Sequence, residues 1–112
     1  MFKRGQVYYV DLTDAKGAEQ GKLRPCIVVS NNMGSKYAPI LTVVPVTSKT
    51  KKPLPTHVTI INEEAGLAKG GTILCEQIRT IDKKRVGSYM GELHPDTVAA
   101  MNSAIKIALA VD

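Results

Sequence analysis

Cys26, Ile27, Val28 and Val29 form an unbroken apolar run, with Pro25 before it and Ser30-Asn31-Asn32 after it. The run is too short for a buried helix and too apolar for a strand with one wet face, so it specifies a strand inside a core. Pro25 fixes its own φ and keeps the preceding residue extended, which sets Arg24 at the strand entrance. The strand thus carries a cation at one end and hydroxyl and amide groups at the other. A polar stretch, Glu19-Gln20-Gly21, leads into it.

The rest of the chain is cut into similar short pieces. Residues 6–12 alternate as a strand, with Val7 and Tyr9 on one face and Tyr8 and Val10 on the other. Residues 13–23 are a polar loop with Gly17 and Gly21, long enough to fold over a ligand. A turn is expected over 31–39 and a third strand over 40–46, where Pro45 marks a bulge or a sheet edge. Residues 48–55 hold three lysines and two prolines and read as a loop. Strands are expected over 56–61, 72–81 and 86–93, with a short helical piece near 63–67. His94-Pro95-Asp96 opens a helix running to about Ala110, since proline suits the first helical position and aspartate the positive end of the dipole. Val98, Met101, Ile105, Ala108 and Leu109 form one stripe at helical spacing, and Ala100, Ala104 and Ile107 lie off it. Five to seven strands with one terminal helix predict a small β-barrel or sandwich. A chain of 112 residues is expected to be one domain, spanning 1–112, with a core that needs no staples.

Cys26 and Cys75 both sit in apolar runs and read as buried thiols, matching neither a disulfide framework nor a zinc pattern. No paired-carboxylate spacing, HxxxH or phosphate-binding glycine loop is present, so neither a metal nor a cofactor is expected. A net charge of +5 suits an anionic partner without selecting one. With no tryptophan and one phenylalanine, any base stacking falls to Tyr8, Tyr9 and Tyr37, and the first two fit a sheet equally well. No signal peptide or membrane span is visible, so the cytoplasm is the expected location.

Glu19-Gln20-Gly21, Arg24-Pro25, the aliphatic run and Ser30-Asn31-Asn32 together resemble the MazF/PemK (Kid) family of toxin endoribonucleases from bacterial toxin–antitoxin pairs. Arg4-Gly5, Pro45–Ser48 (PVTS), Leu54–Val58 (LPTHV) and Glu76–Asp82 (EQIRTID) extend the resemblance over residues 4–85. It implies a mainly β fold with helical additions, an SH3-like small barrel with a C-terminal helix of the CcdB/PemK-like type, in a homodimer. It implies cleavage of single-stranded mRNA without metal, with the RNA's own 2′-hydroxyl attacking phosphorus to leave a 2′,3′-cyclic phosphate and a 5′-hydroxyl. The partner would be a MazE-like antitoxin, expected to lay an acidic, partly disordered segment over a basic groove. Short sites containing A and U, often with an ACA core, are the implied targets. The gyrase-poisoning branch of the same superfamily depends on a C-terminal tryptophan, whereas this chain ends Ala110-Val111-Asp112.

Such a reaction needs charge stabilised on the phosphorane and two protons moved. Arg24 is the first candidate, since a guanidinium can fork two hydrogen bonds onto phosphate oxygens; the resemblance assigns the catalytic arginine to the same residue. The alternative is a structural ion pair with Glu19, Glu76 or Asp11. The family's threonine aligns with Thr47, with Ser48 as a neighbour of the same chemistry. His57 has the intrinsic pKa for acid–base work, although packing on the barrel suits it as well, and His94 is read as structural. Lys49, Lys51 and Lys52 are candidates to meet phosphates. Glu19, Gln20, Ser30, Asn31, Asn32 and Gln77 carry the donors and acceptors that read base edges in single strands. Glu76 is expected to orient Arg24 or Arg79. A binding barrel that leaves RNA intact is the competing reading.

Overall fold

The computed structural model describes residues 2–19, 21–49 and 52–112. Two expected contacts, Gln20 and Lys51, lie outside them. The elements are β1 (Gln6–Asp11), β2 (Leu23–Val28), α1 (Asn32–Tyr37), β3 (Ile40–Thr47), β4 (His57–Ile60), β5 (Gly71–Leu74), β6 (Arg79–Asp82), β7 (Val86–Glu92) and α2 (Pro95–Leu109). Short 3-10 turns, Cys75–Gln77 and Lys83–Arg85, flank β6. All strand pairs are antiparallel, in the order β4-β5-β3-β2-β1-β7, with β6 also on β3. The expected mainly β fold with a C-terminal helix is observed, and the sheet does not close on itself: β4 and β7 stay unjoined.

The apolar run of β2 is explained by two cores. Successive side chains on a strand point to opposite faces. Ile27 and Val29 enter one cluster with Val7, Val44, Val46 and Ile73, which α2 covers with Met101 and Ala104. Cys26 and Val28 enter a second cluster with Val10, Leu12, Leu41, Val43 and Ile81. A strand buried on both faces has no position for a polar residue, hence four apolar residues in succession.

The expected strand over 72–81 is broken. Val43 faces Arg79 of β6, and Val46 faces Ile73 of β5. Three steps along β3 are thus matched by six along its partner, so the turn Cys75–Gln77 is looped out of the ladder. Pro45 stands opposite this break, where a missing amide hydrogen is best tolerated. Pro25 pairs with Tyr9 on β1, while the β2–β3 pairing begins only at Cys26.

Two local expectations change. The 31–39 segment forms α1 from Asn32 to Tyr37, too short for its period to show in sequence. The 63–67 segment is no helix: Leu67 N–H donates to Glu64 O at 2.8 Å, and Ala65 and Gly66 take φ of 53° and 81°. On α2, Ala104, which lies off the expected stripe, is buried, and Leu109, which lies on it, is half exposed.

The buried Glu64 holds the start of α2. Its Oε2 accepts from the His94 amide at 2.8 Å and its Oε1 from the Thr97 hydroxyl at 3.1 Å. A carboxylate against the positive end of the helix dipole, accepting from one orphan amide and one hydroxyl, acts as a cap supplied from elsewhere in the chain. Glu64→Ala is expected to cost about 2 kcal/mol, read by urea unfolding, because buried donors lose their acceptor. An unchanged midpoint would deny Glu64 this role.

Cys26 and Cys75 are free, and each lies in a different core. Burial pushes the Cys26 thiol up to about 12 and the Cys75 thiol up to about 11. Iodoacetamide at pH 8 is therefore expected to label neither thiol in the folded protein and both after unfolding. Native labelling at an unfolded-state rate would contradict this packing.

Candidate functional site

Register decides which side chains share a face. Cys26 faces Pro45 across β2–β3. Arg24 lies two residues from Cys26 and Thr47 two from Pro45, so by alternation both project to the same face as that pair. Thr47 faces Thr72 of β5, and Thr72 faces Thr59 of β4. His57 lies two residues from Thr59 and so projects to the same side. Arg24, Thr47 and His57 therefore share the face that holds the second core, opposite the one α2 covers.

Here β3 changes neighbours. It pairs with β2 over Val43–Pro45 and with β5 over Val46–Thr47. The entrance of β2 is left without a β3 ladder, and the half-buried Arg24 sits in that gap. Its Nε donates to Gly21 O at 3.1 Å, which leaves both terminal nitrogens of the guanidinium outside that bond. Among the described residues Arg24 forms no ion pair with Glu19, Glu76 or Asp11. A hollow of about 280 Å³ opens beside it, lined by Tyr9, Pro25, Val46, Ser48 and Gly70 among others.

The looped-out turn supplies the next part. Because Cys75–Gln77 leaves the ladder, Glu76 and Gln77 project over the open face. They line two hollows of about 220 and 320 Å³. The first is also walled by Glu19, Pro45 and Arg79, and the second by Ala18, Lys52, Leu54 and His57. The two hollows lie on either side of Glu76 and Gln77, and together they make a grooved surface between the β1–β2 loop and the β3–β4 loop.

Thr47 is 1% exposed, and its Oγ1 accepts from the Lys49 amide at 3.2 Å. Its burial keeps that hydroxyl away from solvent. His57 Nε2 lies 2.9 Å from Glu76 Oε2, and its side chain is 6% exposed. Its Nδ1 is buried without a partner. Two strand spacings and two residues separate His57 from Thr47, about 12 Å. One phosphate cannot reach both side chains at that separation. Glu76 also accepts from the Thr56 hydroxyl at 3.4 Å. Sequence reasoning expected Glu76 to orient Arg24 or Arg79; the structure gives it to His57 instead. Arg79 and Arg85 pair with Asp14.

Ser30, Asn31 and Asn32 stand apart from this groove. Arg24 and Asn31 are seven residues apart along an extended segment, about 20 Å. Asn32 Oδ1 accepts from the Arg4 amide at 2.9 Å, and Ser30 Oγ accepts from the Thr42 amide at 3.4 Å. These groups tie the N-terminal segment and β3 to the exit of β2. Lys49 and Lys52 are exposed on the β3–β4 loop. Asp14 went unnoticed in sequence, and nothing short of a fold could flag it: its partners are 65 and 71 residues away. Among the described residues no three His, Cys, Asp or Glu side chains converge in metal-ligating fashion, and no helix is long and apolar enough to cross a membrane.

Comparison with known proteins gives one consistent answer. The family described as PemK-like, MazF-like toxin of type II toxin-antitoxin systems matches residues 3–109. A protein described as Endoribonuclease MazF from Staphylococcus saprophyticus is 40% identical over 110 residues, 97% of this chain and 92% of that protein. Among solved structures, a mycobacterial endoribonuclease in complex with its cognate antitoxin superimposes with a TM-score of 0.84 at 28% identity, covering 100% of this chain and 98% of that one. MazF from Deinococcus radiodurans superimposes with a TM-score of 0.84 at 25% identity, covering 97% and 96%.

Proposed function

This chain belongs to the PemK-like, MazF-like family of type II toxins, and on that footing we propose that it is an endoribonuclease that cuts single-stranded mRNA at short sequences and arrests growth. The observation that carries this reading is Arg24. It stands at the mouth of β2 on the face it shares with Thr47, holds a carbonyl rather than a carboxylate, and lines a hollow of about 280 Å³.

The chemistry follows from these groups. A bound strand places one phosphate at Arg24, and the adjacent 2′-hydroxyl attacks phosphorus while the 5′-oxygen leaves. The products are a 2′,3′-cyclic phosphate and a 5′-hydroxyl. Arg24 stabilises the charge that grows on the phosphoryl oxygens, and Thr47 donates to one of them once uncovered. Free arginine stays charged to above about pH 12, so its task is electrostatic rather than that of a base. His57, held by Glu76, and Gln77 border the neighbouring nucleotide. Lys49, Lys51 and Lys52 are assigned to phosphates of the bound strand, and Glu19 and Gln20 to base edges.

In this reading the chain works as one domain and as a homodimer. Within one protomer Ser30–Asn32 lie too far from Arg24 to touch the same nucleotide, so they act on RNA further along it or from the partner subunit. A MazE-like antitoxin with an acidic segment would neutralise the toxin by occupying the same groove, in the cytoplasm where mRNA is found.

The test is cleavage of a mixed single-stranded RNA in excess EDTA with the product ends mapped. Cuts at one short motif bearing cyclic phosphate are expected. RNA that is bound and left intact would overturn the enzymatic reading and favour a binding module; cuts that vanish in EDTA would overturn the metal-free route.

A further inference from the structure

The loop joining β1 to β2 forms one wall of the groove. Its neck is closed by the Leu12 amide donating to Lys22 O at 2.7 Å, where Lys22 turns through a left-handed φ of 63°. Inside it the Glu19 amide donates to Lys16 O, and Glu19 Oε1 accepts from the Lys16 amide, both at 3.1 Å. Ala18 and Glu19 face the groove, and the Gly21 carbonyl receives the Nε–H of Arg24. Wherever this loop sits, it sets both the wall and the guanidinium.

Asp14 decides where it sits. Its Oδ1 accepts from Arg79 Nη2 at 3.0 Å and from Arg85 Nη1 at 2.6 Å, and its Oδ2 accepts from Arg79 Nη2 at 3.2 Å. One carboxylate thus bridges β6 and the 3-10 turn after it to the start of the loop. An isolated exposed pair is worth little, but a shared carboxylate between two guanidinia is a network with fixed geometry. Asp11 and Asp82 also face Arg85. Asp11 Oδ1 is already taken by the Thr13 amide, and Asp82 Oδ1 by the Lys84 amide.

We propose that Asp14, clamped between Arg79 and Arg85, is a positioning residue for RNA cleavage: it docks the β1–β2 loop on β6 and so holds the Gly21 carbonyl, and through it Arg24, in working position. This rests on the reading of Arg24 given above. Among the described residues no other side-chain hydrogen bond ties the loop to β6. Without the Asp14 charge, Arg79, which lines the groove and whose side chain is 23% exposed, would turn toward the nearest anion, which in a loaded groove is the RNA backbone. Catalysis should fall while RNA affinity holds or tightens, a split that a general loss of structure does not produce.

Asp14→Asn keeps the shape and removes the charge. Trypsin cuts after Lys16 and Lys22 within the loop and reports its docking without RNA. In Asp14→Asn, nicking there is expected to rise about fivefold at an unchanged unfolding temperature, and kcat to fall about fivefold, the scale of a networked surface ion pair. Affinity for an uncleavable 2′-deoxy substrate should stay level or tighten, and Asp14→Glu should recover part of both losses. Unchanged nicking would overturn the docking role. Faster nicking with unchanged kcat, or weaker binding with unchanged kcat, would overturn the positioning role. A wild-type protein that cuts no RNA would overturn the proposed function and the catalytic half of this inference, and the nicking result would still decide the docking half.

Discussion

Replacing Arg24 with alanine is expected to lower the single-turnover cleavage rate about a thousandfold, the scale set by removing a preorganised charge at a developing anion. The fold should barely notice. Arg24 is half-buried, makes no ion pair among the described residues, and gives up one bond to the Gly21 carbonyl. Affinity for a 2′-deoxy strand should fall only by the share of one phosphate contact, because the rest of the groove is intact. Arg24→Lys should restore charge and little rate, since an ammonium lacks the planar fork that spans two phosphoryl oxygens. The measurement is cleavage of one defined RNA under single-turnover conditions, with thermal unfolding alongside. Cleavage within tenfold of wild type would move the chemistry elsewhere, and His57 would be the next residue to change.

Gly70→Ala is expected to be the most damaging small substitution for stability. Gly70 adopts φ +71°, and a Cβ there would stand 2.0 Å from the Ile60 carbonyl oxygen, 2.9 Å from Ile60 C and 3.2 Å from Ile61 C. All three atoms belong to the backbone, so no side chain can swing aside. Alanine at positive φ adds strain of its own. The chain must then pull β4 and β5 apart at the turn that joins them, and a cost of about 4 kcal/mol or more is expected for a backbone clash of this kind. For a domain of this size that lowers the unfolding temperature by roughly 15 °C or more. Cleavage should suffer too in the fraction that folds, because Gly70 lines the hollow beside Arg24. Thermal unfolding within a few degrees of wild type would show that this turn does not pack as described.

The readable parts of the site were those whose meaning is local. Arg24 beside Pro25 announces a cation at a strand entrance because proline constrains its neighbour in any fold. Lys49 and Lys52 were legible as an exposed loop because proline and lysine exclude a helix and a core. Glu76 was harder. Its sequence neighbours suggest a continuous strand over 72–81, and the three-residue loop-out appears only when β3 pairs with β5 and β6 in two different registers. That loop-out sends Glu76 to His57 rather than to Arg24. Ser30–Asn32 look adjacent to Arg24 in sequence, yet an extended strand carries them about 20 Å away.

By itself the sequence determined the strand-rich class, the terminal helix opened by Pro95, the buried thiols and the family, because hydrophobic period, proline and glycine geometry and motif order act within a few residues of chain. Only the tertiary structure decided which face Arg24, Thr47 and His57 share, that Thr47 lies covered, that Glu64 caps α2, and that Asp14 reaches Arg79 and Arg85. Those outcomes depend on register between strands and on side chains that meet across tens of residues. A one-residue change of register reverses every face, and no local pattern records which register wins.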